Sequence, residues 1–261
     1  MSENQIKELT SLSRYASEIA NIIPNERNPY VGRSAFAHKA GQHADVIIKN
    51  PELMEHIPGI NIGNERRILL SELAGKSTIA LKLKKYGDFN KKSPEVSKIT
   101  NKLKEMENIG YEYEAAEASF ELLIKKELGL YKSMFELLNY SVEIFKTGNE
   151  DVKTLVRMKL LKNKKELMGA SVQTGPVGAL DKAIRESLKA SFPFMNNIKL
   201  VDFKVRVLDA DKATSAKVRV FISSTDNKKT WTTVGVSENI LEASWQALVD
   251  SFDYYANEII E

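Results

Sequence analysis

The sequence predicts an α+β fold, in which a mainly helical N-terminal part is followed by a doubled ββα module with a mostly antiparallel sheet. Two observations lead to this prediction. Apolar residues recur at helical spacing in the N-terminal part, whereas short alternating runs dominate after residue 150. The alternating runs and the helix that follows them then occur a second time in the same order. We therefore expect three domains, which cover residues 1–90, 91–148 and 149–261.

The N-terminal elements are predicted from apolar spacing and from the prolines and glycines that interrupt it. Helices are expected over residues 5–22, 50–59, 77–86, 94–108 and 112–127. The first helix ends before Pro24, and Gly87 is a typical helix stop. The apolar and aromatic segment 131–146 is expected to begin as a helix and to continue as a strand. The turn-forming residues 147–151 mark the boundary to the sheet-forming part.

The C-terminal part contains an internal repeat. Strands are expected over residues 156–160, 168–172, 218–222 and 234–236, with a helix after each pair. The clearest match joins Ala-x-x-x-Ala-Ile-x-x-Ser-Leu (179–188) to Ala-x-x-x-Ala-Leu-x-x-Ser-Phe (243–252). An additional strand over 200–208 is expected to link the two units. Because one ββα unit cannot bury its sheet alone, the two should pack together, and a second chain could complete the packing.

Composition excludes several classes of protein. Hydrophobic residues make up 43% and charged residues 28% of the 261 residues, which excludes a disordered chain. The net charge is only +3, and the lysine-rich stretch 82–104 carries no nucleic-acid recognition motif, so we expect a solvated surface and no nucleic-acid partner. The absence of cysteine excludes disulfides and thiolate chemistry. Neither a membrane span nor a signal peptide is predicted, so we expect a cytoplasmic protein without a membrane partner.

Few residues could carry catalysis. The histidines are His38, His43 and His56, and the spacing of His38 and His43 does not suit a metal pair on one helix face. We therefore predict no metal site. His43 lies beside Gly41 in a loop, where a role in proton transfer or substrate binding is plausible, and a structural or surface role is expected for His56. The sequence AGKS (74–77) lacks the upstream glycine of a phosphate-binding loop.

Two helix starts are candidate sites for a carboxylate. They are residues 173–177 and 237–240, where unpaired backbone N–H groups are expected in the first turn. Small residues follow each start, at Gly178 and Ala179 and at Ala243, and would allow a ligand to approach closely. Simple capping with small-residue packing is the alternative interpretation.

Four segments carry a resemblance to a known family. They are YVGRSAFAHKAGQHADVIIKNPE (30–52), GNERRILLSELAGKS (63–77), GYEYEAAEASFELLI (110–124) and TVGVSENILEASWQALVDS (233–251). Together they resemble the C-terminal half of citramalate synthases, which belong to the isopropylmalate synthase/homocitrate synthase family. The AFAHKAGQH motif is shared across that wider family, whereas the third and fourth segments resemble the citramalate branch in particular.

The resemblance implies a parent acyltransferase that condenses acetyl-CoA with an α-keto acid, pyruvate in the case of citramalate. The family holds a divalent metal for this reaction in a TIM barrel. This sequence contains no run of βα units for a barrel and no His-x-His metal motif. It is therefore expected to be a fragment that holds no cofactor and is inactive alone. It would consist of linker subdomains over 1–148 and a regulatory domain over 149–261, and would work with its own N-terminal barrel.

The resemblance also implies roles for single residues in the linker. His43 is similar to a histidine that assists catalysis on the barrel of the partner subunit in a homodimer, and His38 belongs to the same motif. Met54 stands where the family often has a tyrosine. A methionine can pack there, but it cannot donate a hydrogen bond to a substrate.

The regulatory domain of the family binds an end-product amino acid at the dimer interface, which is isoleucine for citramalate synthase and leucine for isopropylmalate synthase. The expected isoleucine site lies at the two helix starts. Its residues would be Thr174, Gly175, Pro176, Val177, Gly178, Ala179, Ser237, Asn239, Ile240 and Ala243. Two alternatives stay open. One is the equivalent region of a leucine-sensing 2-isopropylmalate synthase or of a homocitrate synthase, and the other is a stand-alone amino-acid-sensing module.

Overall fold

The computed structural model describes residues 2–20, 22, 24–32, 34–39, 46–47, 50–69, 76–208 and 215–259. They fall into two compact units, Met1–Asn101 and Lys102–Glu261. The α+β class is confirmed, because helices predominate in the first unit and two antiparallel sheets with their helices fill most of the second. None of the helices within the described ranges is long and apolar enough to cross a membrane.

The first unit consists of short elements. They are α1 (Glu3–Lys7), α2 (Leu9–Ile19), β1 (Ala37–Lys39), β2 (Arg67–Leu69), α3 (Lys76–Leu83) and the first part of α4 (Pro94–Asn108). Strands β1 and β2 form a parallel pair, in which His38 lies opposite Ile68. The helices predicted over 77–86 and 94–108 are confirmed as α3 and α4.

Two predicted helices of the first unit differ from the structure. The helix expected over 5–22 is divided at Glu8, whose N–H bonds back to the last carbonyls of α1. The single helix expected over 50–59 is wrong, because Pro51–Leu53 and Gly59–Ile62 form two separate 3₁₀ turns. Pro58 lies between them and has no N–H with which to continue a helix.

The second unit contains two copies of one arrangement after helix α5 (Glu117–Glu127). The first copy is β3 (Glu136–Phe145), β4 (Lys153–Lys162), β5 (Lys165–Gln173) and α6 (Pro176–Leu188). The second copy is β6 (Lys199–Val207), β7 (Val218–Thr225), β8 (Thr230–Ser237) and α7 (Ile240–Ile259). Each copy has a three-stranded antiparallel sheet with its strands in chain order. The predicted repeat is confirmed, but its unit is βββα rather than ββα.

The first strand of each copy, β3 or β6, differs from its prediction. Strand β6 does not link the copies but opens the second one, and β3 opens the first. Both carry a β-bulge at the corresponding place, at residues 137–139 and 200–202. Segment 147–151, predicted as a domain boundary, is the connection from β3 to β4, and residues 131–135 are not helical. The other limits of the three predicted domains stay predictions.

Each helix packs closely on the sheet of its own copy. The Ser171 hydroxyl on β5 donates a hydrogen bond of 2.6 Å to the Ala179 carbonyl on α6. The corresponding residue on β8 is Gly235, where a Cβ would overlap the Ala243 carbonyl on α7. A buried hydroxyl in one copy is thus replaced by close backbone packing in the other.

Helix α7 also reaches the sheet of the first copy. Its Trp245 stacks on Tyr140 of β3, with ring centroids 5.4 Å apart, and meets Phe135 edge-on. Both sheets, α6 and α7 therefore share one hydrophobic core. Among the described residues, none covers strand β6 in this way, and Phe203, Val205 and Val207 are therefore substantially exposed.

Candidate functional site

The start of α6 is open. Gly175 is the N-cap and offers no side chain, and Pro176 at the first helical position has no N–H. The first intrahelical bond runs from the Ala179 N–H to the Gly175 carbonyl, so the N–H groups of Val177 and Gly178 precede it. A Cβ at Gly178 would meet no heavy atom within 4 Å. This first turn can therefore accept a carboxylate from solvent.

A buried polar group lies at the same end of the sheet. Thr154 pairs with Gln173, the last residue of β5, just before the chain enters α6. Its side chain is buried, and its hydroxyl has no hydrogen-bond partner among the described residues. The same is true of one carboxylate oxygen of Asp181 on α6. Unpaired buried polar atoms are rare in native proteins and often accompany functional sites.

The start of α7 is closed by its own side chains. The Asn239 side-chain oxygen accepts a hydrogen bond of 2.8 Å from the Leu241 N–H, and its carbonyl accepts the bond from Ala243. The Ser237 hydroxyl in turn accepts a bond of 3.1 Å from the Asn239 N–H. Ile240 is exposed. Of the two predicted starts, the one on α7 therefore follows the capping interpretation, and the one on α6 does not.

The predicted site residues differ in accessibility. Thr174 and Gly178 are exposed, and Gly175, Pro176 and Val177 are half-buried. Ala179 and Ala243 are fully buried and pack on the sheets of their own copies. The two starts lie at the ends of different sheets, one after β5 and one after β8.

A second cluster surrounds His38 in the first unit. The Glu55 carboxylate lies 2.9 Å from His38 Nε2, and Arg66 donates two hydrogen bonds of 2.7 Å to its two oxygens. The Glu55 side chain is only 3% exposed. The Arg66 fork holds the pKa of Glu55 below its usual range, so the carboxylate is ionised and can only accept. His38 Nε2 must therefore carry the hydrogen.

The other predicted site residues of the first unit make fewer contacts than His38. His56 contacts Tyr30, with 3.3 Å between its Nε2 and the tyrosine hydroxyl, near the protein surface. Met54 is exposed just after a 3₁₀ turn. His43 lies outside the described residues. Within the described ranges, no three His, Asp or Glu side chains are grouped so as to hold a metal ion.

Two acids on α7, one buried and one half-buried, were not predicted. Asp253 is fully buried and accepts hydrogen bonds from the Tyr131 hydroxyl and the Met134 N–H. Burial raises the pKa of Asp253 to about 6. Burial also raises the pKa of Asp250, which Ser119 and Lys126 contact. In the sequence, the two acids are marked only by their separation of three residues within an apolar helix pattern. That pattern does not reveal their hydrogen-bond partners, which are more than a hundred residues away.

Two family models match the chain. Residues 114–256 match the LeuA allosteric (dimerisation) domain, and residues 30–110 match the homocitrate synthase post-HMGL domain-like model. The first match covers more than half of the chain and both βββα copies. The chain therefore belongs to the family of LeuA allosteric (dimerisation) domains.

Similar proteins carry the name (R)-citramalate synthase. The one from Aquifex aeolicus is 47% identical over 254 residues, which are 97% of this chain and 48% of that protein. The one from Geobacter sulfurreducens is 42% identical, over 97% of this chain and 48% of that protein. The one from Synechocystis is also 42% identical, over 96% and 47%. The resemblance to citramalate synthases is confirmed, and the chain spans about half the length of these relatives.

Proposed function

We propose that this chain is the linker and feedback-regulatory part of a citramalate synthase, and that it binds isoleucine as an allosteric inhibitor. The observation that carries the proposal is the open first turn of α6, where Val177 and Gly178 present N–H groups without a side-chain cap. The family match to an allosteric domain supports the regulatory role. The named relatives support the citramalate branch.

The first turn of α6 suits the carboxylate of an amino acid. Two N–H groups and the positive end of the helix dipole favour an anion there. The half-buried side chain of Val177 lies in the same turn and offers apolar contact to a branched side chain. The exposed side chain of Ile240 could add to this contact in the assembled protein.

Calorimetry with isoleucine and leucine tests the site. We expect heat of binding with isoleucine and a weaker response with leucine. Gly178→Phe should abolish the signal and leave the fold intact, because the space beside Gly178 is open. Lys189→Phe, at the exposed far end of the same helix, should bind as wild type does. Absence of heat with both amino acids would contradict the proposal, and a preference for leucine would favour an isopropylmalate synthase instead.

Condensation of acetyl-CoA with pyruvate belongs, in this proposal, to the half of the relatives that the chain does not match. The described residues offer no ligand cluster for the divalent metal that the reaction would use. His38, and His43 from the same motif, would act on a barrel rather than alone. We expect the 261-residue chain to show no condensation activity, and turnover by the purified chain would contradict this assignment.

We further propose that the chain forms a homodimer through the second unit. Phe203, Val205 and Val207 on β6 pair with Ile222, Val220 and Val218 on β7, so they share the apolar face of the sheet. Their exposed fractions are 37%, 41% and 52%, because no helix within the described part of the chain covers them. A contiguous apolar face of this kind is typical of an interface, and the family is described as a dimerisation domain.

A further inference from the structure

Strand β4 carries three lysines whose surroundings differ. The Lys153 Nζ lies 2.9 Å from a carboxylate oxygen of Glu150, and the Lys159 Nζ lies 3.6 Å from one of Glu166. Among the described residues, no carboxylate forms an ion pair with Lys162, the last residue of the strand. Two of the three lysines are therefore paired as ammonium ions, and the third is not.

The Lys162 side chain lies on an aromatic ring instead. Its Nζ is 3.1 Å from the centroid of the Phe192 ring, which belongs to the hydrophobic core. An aromatic face attracts a cation, but it replaces only part of the water that an exposed ammonium would bind. Burial accordingly lowers the pKa of the Lys162 amine below its ordinary value. At a given pH, Lys162 is therefore more often the neutral, nucleophilic amine than an exposed lysine is.

The residue directly across the hairpin carries the same charge as Lys162. Lys165 is the first residue of β5 and pairs with Lys162 in the register of the two strands. Directly opposed residues of antiparallel strands point to the same face of the sheet. A like charge at this position favours the neutral amine of Lys162 over its ammonium form.

A cleft gives an acyl group access to the amine. It has a volume of about 360 Å³ and is lined by residues 133–136 and 161–163. Met134 and Phe135 are buried and form an apolar part of its wall. Glu136 also lines the cleft, but it is exposed, and no ion pair joins it to Lys162. The cleft is therefore large enough and apolar enough to hold a short acyl chain beside Lys162.

We propose that Lys162 is a site of acylation by acyl thioesters. The neutral Nζ attacks the carbonyl carbon of the thioester, so that an N–C bond forms and the C–S bond breaks. The thiolate leaves with the electron pair of the C–S bond and takes up the proton that the amine loses. The products are an amide on Lys162 and a free thiol, and no further reactant is needed. Acetyl-CoA, the substrate of the proposed condensation, is a thioester of this class.

The β4–β5 hairpin supplies a matched pair of variants. Lys165→Glu places a carboxylate directly opposite Lys162, where it stabilises the ammonium and lowers the share of neutral amine. Lys164→Glu makes the same change in net charge one residue earlier, in the turn between the strands. Lys164 and Lys165 are both exposed, so both variants should fold as wild type does.

The experiment incubates the 261-residue chain with acetyl-CoA at mildly alkaline pH and follows each lysine by peptide mass spectrometry. We expect Lys162 to be acetylated at least about fivefold faster than Lys153 and Lys159. Lys165→Glu should slow the acetylation of Lys162 about fivefold, whereas Lys164→Glu should change it less than about twofold. Lys162 reacting no faster than Lys153 and Lys159, or equal effects of the two variants, would overturn the proposal.

The same reaction in guanidinium chloride separates the fold from the local sequence. In the unfolded chain, the ring and the cleft are lost, and the three lysines of β4 should react within about twofold of one another. A preference for Lys162 that persists there would also overturn the proposal. None of these measurements involves isoleucine, so the proposed function and the acylation site can fail separately.

Discussion

Glu55 is the residue on which the His38 cluster depends. Its buried carboxylate joins β1, through His38, to Arg66 just before β2. In Glu55→Gln the Arg66 charge loses its partner, and we expect the free energy of unfolding of the first unit to fall by about 2 kcal/mol. The loss can be measured by hydrogen exchange of β1 and β2. The neighbouring exposed Glu52→Gln is the control, and equal stability of the two variants would refute this role of Glu55.

Asp253 makes the stability of the second unit depend on pH. Its pKa is about 6 in the folded chain against an ordinary 3.8, so the folded state retains the proton that the unfolded state loses. The free-energy cost of holding the ionised Asp253 carboxylate in the folded chain is absent below pH 3.8. It grows as the pH rises to 6 and is constant above that pH. Lowering the pH from 7 to 5 should therefore stabilise wild type by ~1 kcal/mol more than Asp253→Asn.

Urea unfolding followed by tryptophan fluorescence can measure this pH dependence, because Trp231 and Trp245 are both buried in the second unit. The exposed Asp202→Asn should behave as wild type does. An Asp253→Asn variant with the same pH dependence as wild type would exclude Asp253 as its source.

At the scale of elements, β6 and β3 open corresponding sheets but differ in what packs on them. The corresponding face of β3 is covered by Trp245 of α7, whereas Phe203 and its neighbours on β6 are exposed. We expect Val205→Lys to convert the proposed homodimer to a monomer, because a charge would be buried in the interface. Arg206→Ala, on the opposite face of the same strand, should remain dimeric. Light scattering distinguishes the two, and a dimeric Val205→Lys would exclude this face.

The elements were predictable where one pattern runs without interruption. The alternating β4, β5, β7 and β8 and the helices after them follow directly from the sequence. Strand β3 was obscured because its bulge places Leu137 and Leu138 side by side and shifts the alternation by one residue. The division between α1 and α2 was obscured because apolar spacing continues across Glu8.

The candidate site was predictable to a similar extent. Gly175 and Pro176 are local signals, and they correctly mark a helix start. The pairing of Glu55 with Arg66 and of Asp253 with Tyr131 depends on tertiary contacts, which no local pattern contains.

For the whole molecule, the central claim is that the uncapped first turn of α6 binds a ligand, whereas a helix start with a purely structural role is capped by its own side chains. The starts of α6 and α7 correspond in the repeat, but only α7 has a capping side chain. A missing cap costs stability of about 1 kcal/mol, and a bound carboxylate would supply the same hydrogen bonds. The difference between the two copies is therefore the feature that most clearly separates a regulatory domain from a purely structural one.

Nuclear magnetic resonance of the ¹⁵N-labelled chain during titration with isoleucine tests this claim most directly. The account predicts that the amides of Val177 and Gly178 show the largest chemical-shift changes. In the Gly178→Phe variant, the amide of Val177 should no longer respond to isoleucine. The amide of Leu241, which is bonded to Asn239, should move less. Saturating isoleucine that leaves the amides of Val177 and Gly178 unchanged would contradict the account.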